Sequence, residues 1–318
     1  MNNPSYGILG TGFHVPDQVI DNQYFIDQGL ETTDEWIKSR TGISSRHVDF
    51  DTTTSLLAIE SAKKALNNGS IDASMIDLII VATSTPDYSA FPSTACQVQK
   101  ALGITRPIIA FDVSAACSGF NYALTIAENF LSQPSFQHGL IIGAECLHKL
   151  VDWTDRSTCI LFGDGAGAVV VGPVQNQGGI LYSRLYSDGI NSEILTGDIN
   201  QKIFMDGRAV FKRAIQVVVP AIEEALQSIE KTVADLAYVI PHQANARIIV
   251  PICEQLGLKE DQVIMNIDRF GNTSAASIPI ALAESVQNNQ FKPGDLIALV
   301  GFGSGFTWGI NLIQWSDL

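Results

Sequence analysis

Apolar residues along this chain fall into short continuous runs separated by longer stretches of helical period. The runs YGILGTGF, DLIIVATST, PIIAFDVS, HGLIIGAEC, AGAVVVG, LAYVIPH, QVIMNID and DLIALVGFG predict strands. Several are apolar throughout, as strands covered on both faces are. Periodicity predicts helices over 33–39, 54–68, 93–102, 118–132, 208–228, 245–256 and 276–287. Strands and helices in alternation predict an α/β layered architecture. Thr32 and Glu35 have the spacing of a capping box at the first of these helices.

The pattern repeats. DLIIVATS (77–84) and DLAYVIPH (235–242) lie 158 residues apart, and SAACSGFNYAL (114–124) aligns without a gap to NTSAASIPIAL (272–282) at the same offset. Between them, LGI (102–104) answers LGL (256–258) at an offset of 154. Three blocks in one order predict two copies of one unit, residues 1–174 and 175–318, divided at the loop-like GPVQNQGG. The offset sets Cys117 opposite Ala275, Ser84 opposite His242, and Ser114 opposite Asn272. Reactive groups on equivalent elements of two packed halves converge at their junction, a common place for pockets.

Composition narrows the class. With 318 residues, 46% hydrophobic and 16% charged, the chain can bury a large core, and its length suits about two domains. No stretch approaches the ~20 apolar residues of a membrane span. The opening MNNPSYGILGTGF has neither the basic nor the apolar region of a signal peptide, so a cytoplasmic protein is expected. Cys96, Cys117, Cys146, Cys159 and Cys253 are odd in number and without CxxC spacing, which favours free thiols over disulfides or a metal site. The net charge of −14 argues against nucleic acid as a partner, and an acidic protein partner would need a local basic patch.

Three polar residues carry candidate chemistry. Cys117 stands between a strand-like run and a helix-like one; a thiol at a helix N-terminus is drawn toward thiolate, whereas a lone cysteine among small residues equally suits a buried packing role. His242 follows an apolar strand ending at Pro241, either as a functional group at a strand end or as a hydrogen-bonded core histidine. Asn272 fits a turn or N-cap, or a neutral amide donor aimed at a developing oxyanion, where Asp would repel the charge. The glycine clusters FGDGAGAVVVG and GFGSGFTWG lack the lysine of a phosphate loop and do not open helices. They suit close backbone approach to a substrate, and an N–H from 303–305 can complete an oxyanion hole.

Taken together, DVSAACSGFNYAL, PHQANARII, GNTSAAS and GFGSGFTWG resemble 3-oxoacyl-[acyl-carrier-protein] synthase III, the initiating ketosynthase of bacterial fatty-acid synthesis. TTDEWIKSRTGI, AFPSTACQVQ, TDRST and FGDGAGA match as well, so the resemblance runs from GTG at 10–12 to the last strand. It implies the thiolase fold, two similar halves in a five-layered αβαβα sandwich, and a homodimer. By position it implies Cys117 as the acylated nucleophile and His242 and Asn272 as the pair on the malonyl thioester carbonyl. The amides of Cys117 and Ser304 would form the first oxyanion hole. Trp36 and Arg156 match residues that sandwich the coenzyme A adenine, Arg40 and Thr41 neighbouring contacts, and Asn245 the pantetheine channel. Phe91 matches a residue reaching into the partner subunit's acyl pocket, and Lys212 and Arg247 match basic residues facing the carrier protein. The implied substrates are acyl-CoA and malonyl-acyl carrier protein, with no metal or redox cofactor.

The chain departs from the family pattern in a short segment between SDGINSEILTG and FMDGRAVF, in Ser304 where many relatives have glycine, and in Glu254 and Gln255 where many have two lysines. A paralogue making a specialised metabolite from acyl-CoA and malonyl-CoA or another acceptor is the alternative, and a non-catalytic acyl-CoA-binding relative a remoter one. Papain-like peptidases also order Cys, His and Asn, but their C-G-[SA]-C-[WY] context is absent. Within the fold, hydroxymethylglutaryl-CoA synthases use a glutamate and thiolases a second cysteine. The glycine motif at 301–309 has no cysteine, and a His–Asn pair favours decarboxylative condensation.

Overall fold

The computed structural model describes residues 5–174, 178–198 and 202–316. The first half opens with β1 (Ser5–His14), then a small ribbon of β2 (Val19–Asp21) and β3 (Ser45–His47) that encloses helices α1 (Asn22–Asp27) and α2 (Asp34–Thr41). Helix α3 (Thr54–Asn68), β4 (Leu78–Ala82), α4 (Thr94–Ala101), β5 (Ile109–Val113), α5 (Gly119–Leu131), β6 (Gly139–Glu145) and β7 (Gly165–Val174) follow. The second half runs through β8 (Gly179–Ser187), a ribbon of β9 (Leu195–Asp198) and β10 (Lys202–Met205), and α6 (Gly207–Ser228). It continues with β11 (Tyr238–Pro241), α7 (Ala246–Leu256), α8 (Ile267–Phe270), α9 (Ser277–Gln287), β12 (Leu296–Gly303) and β13 (Thr307–Gln314).

Two sheets organise these elements. The first has strand order β1-β7-β6-β4-β5, with β6, β4 and β5 parallel. The second has order β11-β12-β13-β8, with β11 and β12 parallel. Helices α3 and α4 cover the outer face of the first sheet and α6 and α7 that of the second, while α5 and α9 lie between the sheets and touch both. This is a five-layered αβαβα sandwich. Its central layer follows from sequence: α5 and α9 are apolar around most of their surface and so demand a partner on each side. Ala123 and Leu124 of α5 and Ala281 and Leu282 of α9, the pairs related by the 158-residue offset, are all fully buried in one core. Each buried leucine there contributes about 1.5–3 kcal/mol by apolar transfer.

The duplication is visible in the backbone. Ala116 (φ 45°) and Ser274 (φ 48°) stand 158 residues apart, each in a left-handed conformation costly for a non-glycine residue. Each opens a 3-10 turn, Ala116–Ser118 or Ser274–Ala276, that leads into α5 or α9. The turns cross to the opposite sheets. At Gly143 in β6, a Cβ would stand 2.1 Å from the carbonyl oxygen of Ala275; at Gly303 in β12, one would stand 2.7 Å from the Cβ of Cys117. Glycine at these two crossings lets each half press its turn into the other.

Three local expectations are corrected. QVIMNID forms no strand: it makes one parallel bridge, Val239 with Val263, before the chain turns into α8. The buried Gln243 side chain takes the place of a strand partner, donating to the Ile264 carbonyl (3.2 Å) and accepting from the N–H groups of Asn266 (3.0 Å) and Ile267 (3.2 Å). The cap of α2 is Thr33, not Thr32; its hydroxyl accepts from Trp36 N (3.1 Å), and Gly42 in the left-handed region closes the other end. Strands β8 and β13 had no counterpart among the predicted runs. Serine, tyrosine and arginine interrupt the apolar pattern of β8, an edge strand, while the polar Asn311 within β13 is fully buried and accepts from Asn121 Nδ2 at 2.8 Å.

Candidate active site

A cavity of about 1330 Å³ opens at the junction of the halves, and Cys117, His242, Asn272, Ser304 and Asn245 all line it. Cys117 comes from the first half and the other four from the second. The approach of β12 at Gly303 brings Ser304 to the same wall as Cys117. Gly303→Ala is therefore expected to slow acyl transfer and condensation alike by ~10²-fold, the cost of moving a reacting group by about an ångström. Single-turnover kinetics of the variant checks it.

Each polar group is aimed by its neighbours. The backbone of His242 continues the sheet, N–H to Val300 O at 2.8 Å, and its ring meets the Phe302 ring edge-on at 5.4 Å. Burial pushes the imidazole down to about 3, so it is neutral at working pH, and its Nδ1 has no hydrogen-bond partner among the described residues. Asn272 spends its carbonyl oxygen on Ser274 N–H (2.9 Å). Only a long 3.5 Å bond to Ala244 O engages its amide nitrogen, which leaves donor capacity for the cavity. The turn reading and the donor reading of Asn272 thus describe two ends of one side chain. Asn245 caps α7, accepting from Arg247 N at 2.9 Å.

The two readings of Cys117 meet in one residue, which is buried and yet lines the cavity at the turn before α5. Desolvation dominates, and burial pushes the thiol up to about 12; the Ser274 hydroxyl and the residue's own N–H favour the thiolate, while the charge of Glu145 opposes it. Glu145 and Ser274 were both missed from sequence. Ser274 stands within GNTSAAS, where Asn272 alone draws notice, and the crossing of the halves brings its turn against that of Cys117; Glu145 ends β6 in Cys117's own half, in a run that reads only as a strand.

Apart from Thr41, the remaining predicted residues are half-buried or exposed. Trp36 is half-buried, with Arg156 above its ring at 4.5 Å and Arg40 at 5.8 Å. A base between Trp36 and Arg156 needs two contacts of roughly 3.5–4 Å each, so the pair is closed as it stands. Arg156 is held there by donating to the Glu31 carbonyl. Thr41 is 2% exposed and its hydroxyl is used within the helix end, donating to Ile37 O (2.7 Å) and accepting from Ile43 N (3.0 Å); it makes a C-terminal tie in α2 rather than a surface contact. Arg247 ties α7 to α2 through Ser39 O at 3.1 Å, Lys212 is exposed on α6, and Arg208, not anticipated, lines the cavity. Phe91 is 82% exposed. No group of His, Cys, Asp and Glu suited to a metal ion, and no helix long and apolar enough to cross a membrane, occurs among the described residues.

Comparison with known proteins places the chain in a family. Residues 111–189 match the family model of 3-oxoacyl-[acyl-carrier-protein] synthase III, and residues 226–315 match its C-terminal model. The chain is 46% identical to the beta-ketoacyl-[acyl-carrier-protein] synthase III of Natranaerobius thermophilus, over 97% of this chain and 98% of that one. It is 45% identical to synthase III 1 of Bacillus cereus over the same shares. The crystal structure of 3-oxoacyl-[acyl-carrier-protein] synthase III from Aquifex aeolicus superposes with a TM-score of 0.94 at 44% identity, covering 98% of this chain and 100% of that one. The chain belongs to the 3-oxoacyl-[acyl-carrier-protein] synthase III family, acyltransferases of the thiolase fold that act in fatty-acid synthesis.

Proposed function

We propose that Cys117 accepts an acyl group from acyl-CoA and that His242 and Asn272 direct its condensation with malonyl-acyl carrier protein. The observation that carries this reading is the convergence of one thiol and two neutral donors, from opposite halves, on one cavity. Cys117 sulfur attacks the acyl-CoA thioester carbonyl, and the amides of Cys117 and Ser304 bear the oxyanion while CoA leaves as its thiol. Malonyl thioester then enters. Its C–C bond to the carboxylate breaks, releasing CO₂. The electron pair becomes an enolate on the thioester oxygen, held by His242 Nε2–H and Asn272 Nδ2–H. That enolate attacks the acyl-Cys117 carbonyl, and the expelled Cys117 thiolate takes up from solvent the one proton that the decarboxylative condensation consumes. The chemistry is complete without metal or redox cofactor.

Trp36, Arg40 and Arg156 form the outer anchor for the CoA nucleotide, with Arg156 swinging off the indole to admit the base, and Asn245 borders the pantetheine path. Trp36→Ala is expected to raise KM for acyl-CoA by about tenfold with little change in kcat, because stacking remote from the reacting carbon contributes equally to ground and transition states. Lys212 and Arg247 offer positive charge to an acidic carrier protein. Phe91 is the residue of a homodimer that closes the partner's acyl pocket, and the setting is the cytoplasm. The direct test is incubation with a panel of radiolabelled acyl-CoAs followed by malonyl-carrier. Label moves first to Cys117 and then to 3-oxoacyl product; absence of label on Cys117 from every primer would reject the assignment.

A further inference from the structure

Two turns from opposite halves, one at Cys117 and one at Ser304, are joined by two hydroxyls. The first is the 3-10 turn Ala116–Ser118 that precedes α5. The second is the loop 304–306 of the hairpin between β12 and β13, where Gly303 pairs with Thr307 across the ladder. Thr307 Oγ1 donates to the Ser304 carbonyl at 2.8 Å and lies 2.8 Å from Ser118 Oγ. It also approaches the Ala115 carbonyl at 3.3 Å, which Ser118 Oγ reaches at 2.9 Å. Ser118 is fully buried and follows Cys117 directly in the chain. Other parts of the loop are held separately. Phe306 exchanges both backbone hydrogen bonds with Asp188 (3.0 and 2.8 Å), and the Ser304 hydroxyl donates to the Leu195 carbonyl. Neither Ser118 nor Thr307 lines the cavity; both stand behind its wall.

Each hydroxyl brings one proton. One assignment serves both 2.8 Å contacts: Ser118 donates to Thr307 Oγ1, and Thr307 donates to the Ser304 carbonyl. Turning Ser118 to the Ala115 carbonyl would either set two lone pairs face to face across 2.8 Å or free the Ser304 carbonyl. The chain so formed starts one residue after Cys117 and ends on Ser304, and hydrogen bonds in series strengthen one another. We propose that Thr307 is a positioning residue for the reaction, its hydroxyl setting the spacing of the Cys117 and Ser304 amides across the junction of the halves. The proposal rests on the reading of those two amides as the first oxyanion hole. Gly303 supplies the close approach, since a Cβ there would stand 2.7 Å from the Cβ of Cys117. Such a contact limits how near the two backbones come, not how one slides along the other. A hydrogen-bonded chain is directional and removes that freedom. Oxyanion donors act from about 2.7–3.1 Å, so a small slide of either amide weakens both acyl transfer and condensation. Decarboxylation relies on His242 and Asn272 and is untouched by it.

The test compares Thr307→Val, which keeps the shape and loses the hydroxyl, with Thr307→Ser, which keeps the hydroxyl. Single-turnover transfer from acetyl-CoA to Cys117, read by intact-protein mass, is expected to slow by about ten- to a hundredfold in Thr307→Val. The loss falls on the maximal rate and not on the acetyl-CoA concentration that gives half of it, because the hole binds the transition state. Thr307→Ser should recover most of the rate. Acyl-enzyme made with carbonyl-labelled carbon-13 acetyl-CoA gives a second reading. Its thioester carbonyl stretch, lowered by hydrogen bonds from the hole, should move to higher wavenumber in Thr307→Val and return in Thr307→Ser. Decarboxylation of malonyl-carrier, measured in a Cys117→Ala background, should be the same with and without Thr307→Val. A hydroxyl that merely holds the fold predicts equal loss in both half-reactions, and that result overturns the proposal. So does a serine variant as slow as the valine one. Thermal melting followed by circular dichroism reports folding; should Thr307→Val unfold, Ser118→Ala breaks the chain from its other end and carries the same comparison. If the wild type takes no acyl group from any acyl-CoA, the Cys117 assignment falls and the proposal with it; a labelled wild type beside an equally fast Thr307→Val rejects the positioning role alone.

Discussion

Cys117→Ala is expected to abolish acyl transfer from acyl-CoA and, with it, condensation, while leaving decarboxylation of malonyl-carrier measurable. The thiol supplies the only bond that holds the first acyl group while one thioester leaves and the next enters, and alanine offers no atom for that bond. The enolate donors are on other elements: His242 follows β11, and Asn272 precedes the turn into α9. Neither depends on the sulfur for its position. Asn272 is fixed by Ser274 N–H, and His242 by its backbone bond to Val300 and its contact with Phe302. The variant loses a buried sulfur where Ala275 already occupies the equivalent place in the other half, so the fold tolerates it. Product analysis after addition of acyl-CoA and malonyl-carrier checks both parts. Condensation at the wild-type rate would reject the covalent route.

Asn272→Asp is expected to spare acylation of Cys117 and to lower decarboxylative condensation by about 10²–10³-fold, the loss typical of one oxyanion donor or roughly 3–4 kcal/mol. The substitution is nearly isosteric, and a carboxylate oxygen can still accept from Ser274 N–H. The other end changes in kind. A donor becomes an acceptor bearing negative charge, placed where the enolate oxygen gathers its own. Acyl transfer uses the Cys117 and Ser304 amides instead, so the two half-reactions separate. Measuring both on one preparation decides the matter; equal loss in both would contradict a division of labour. The neutral imidazole of His242 sharpens the effect, because it supplies a hydrogen bond but no positive charge to offset an aspartate.

Much of this organisation was legible in the chain. The α/β class follows from runs and periods, since a strand covered on both faces must be apolar throughout and a helix between two sheets apolar on most sides. The offset of 158 was readable because both copies need the same backbone, a residue in left-handed conformation and then a helix, and only small residues pass where the turns cross. Other parts escaped notice for identifiable reasons. The edge position of β8 and the buried asparagine pair at β13 break the apolar rule. Gln243 imitates a strand partner with its side chain, which no pattern of hydrophobicity records.

The sequence by itself determined the layers, the duplication, and which of Cys117, His242 and Asn272 belong to which copy. Local spacing and apolar periodicity carry such information because they are set within a few turns of chain. Tertiary structure alone decided the electrical state of the site. The helix start that should favour a thiolate is overwhelmed by the depth at which two halves bury it. The turn that carries Ser274 packs against the turn that carries Cys117 only because each crosses to the other half's sheet at a glycine. Desolvation depends on everything packed around a group, and a sequence lists neighbours in one dimension.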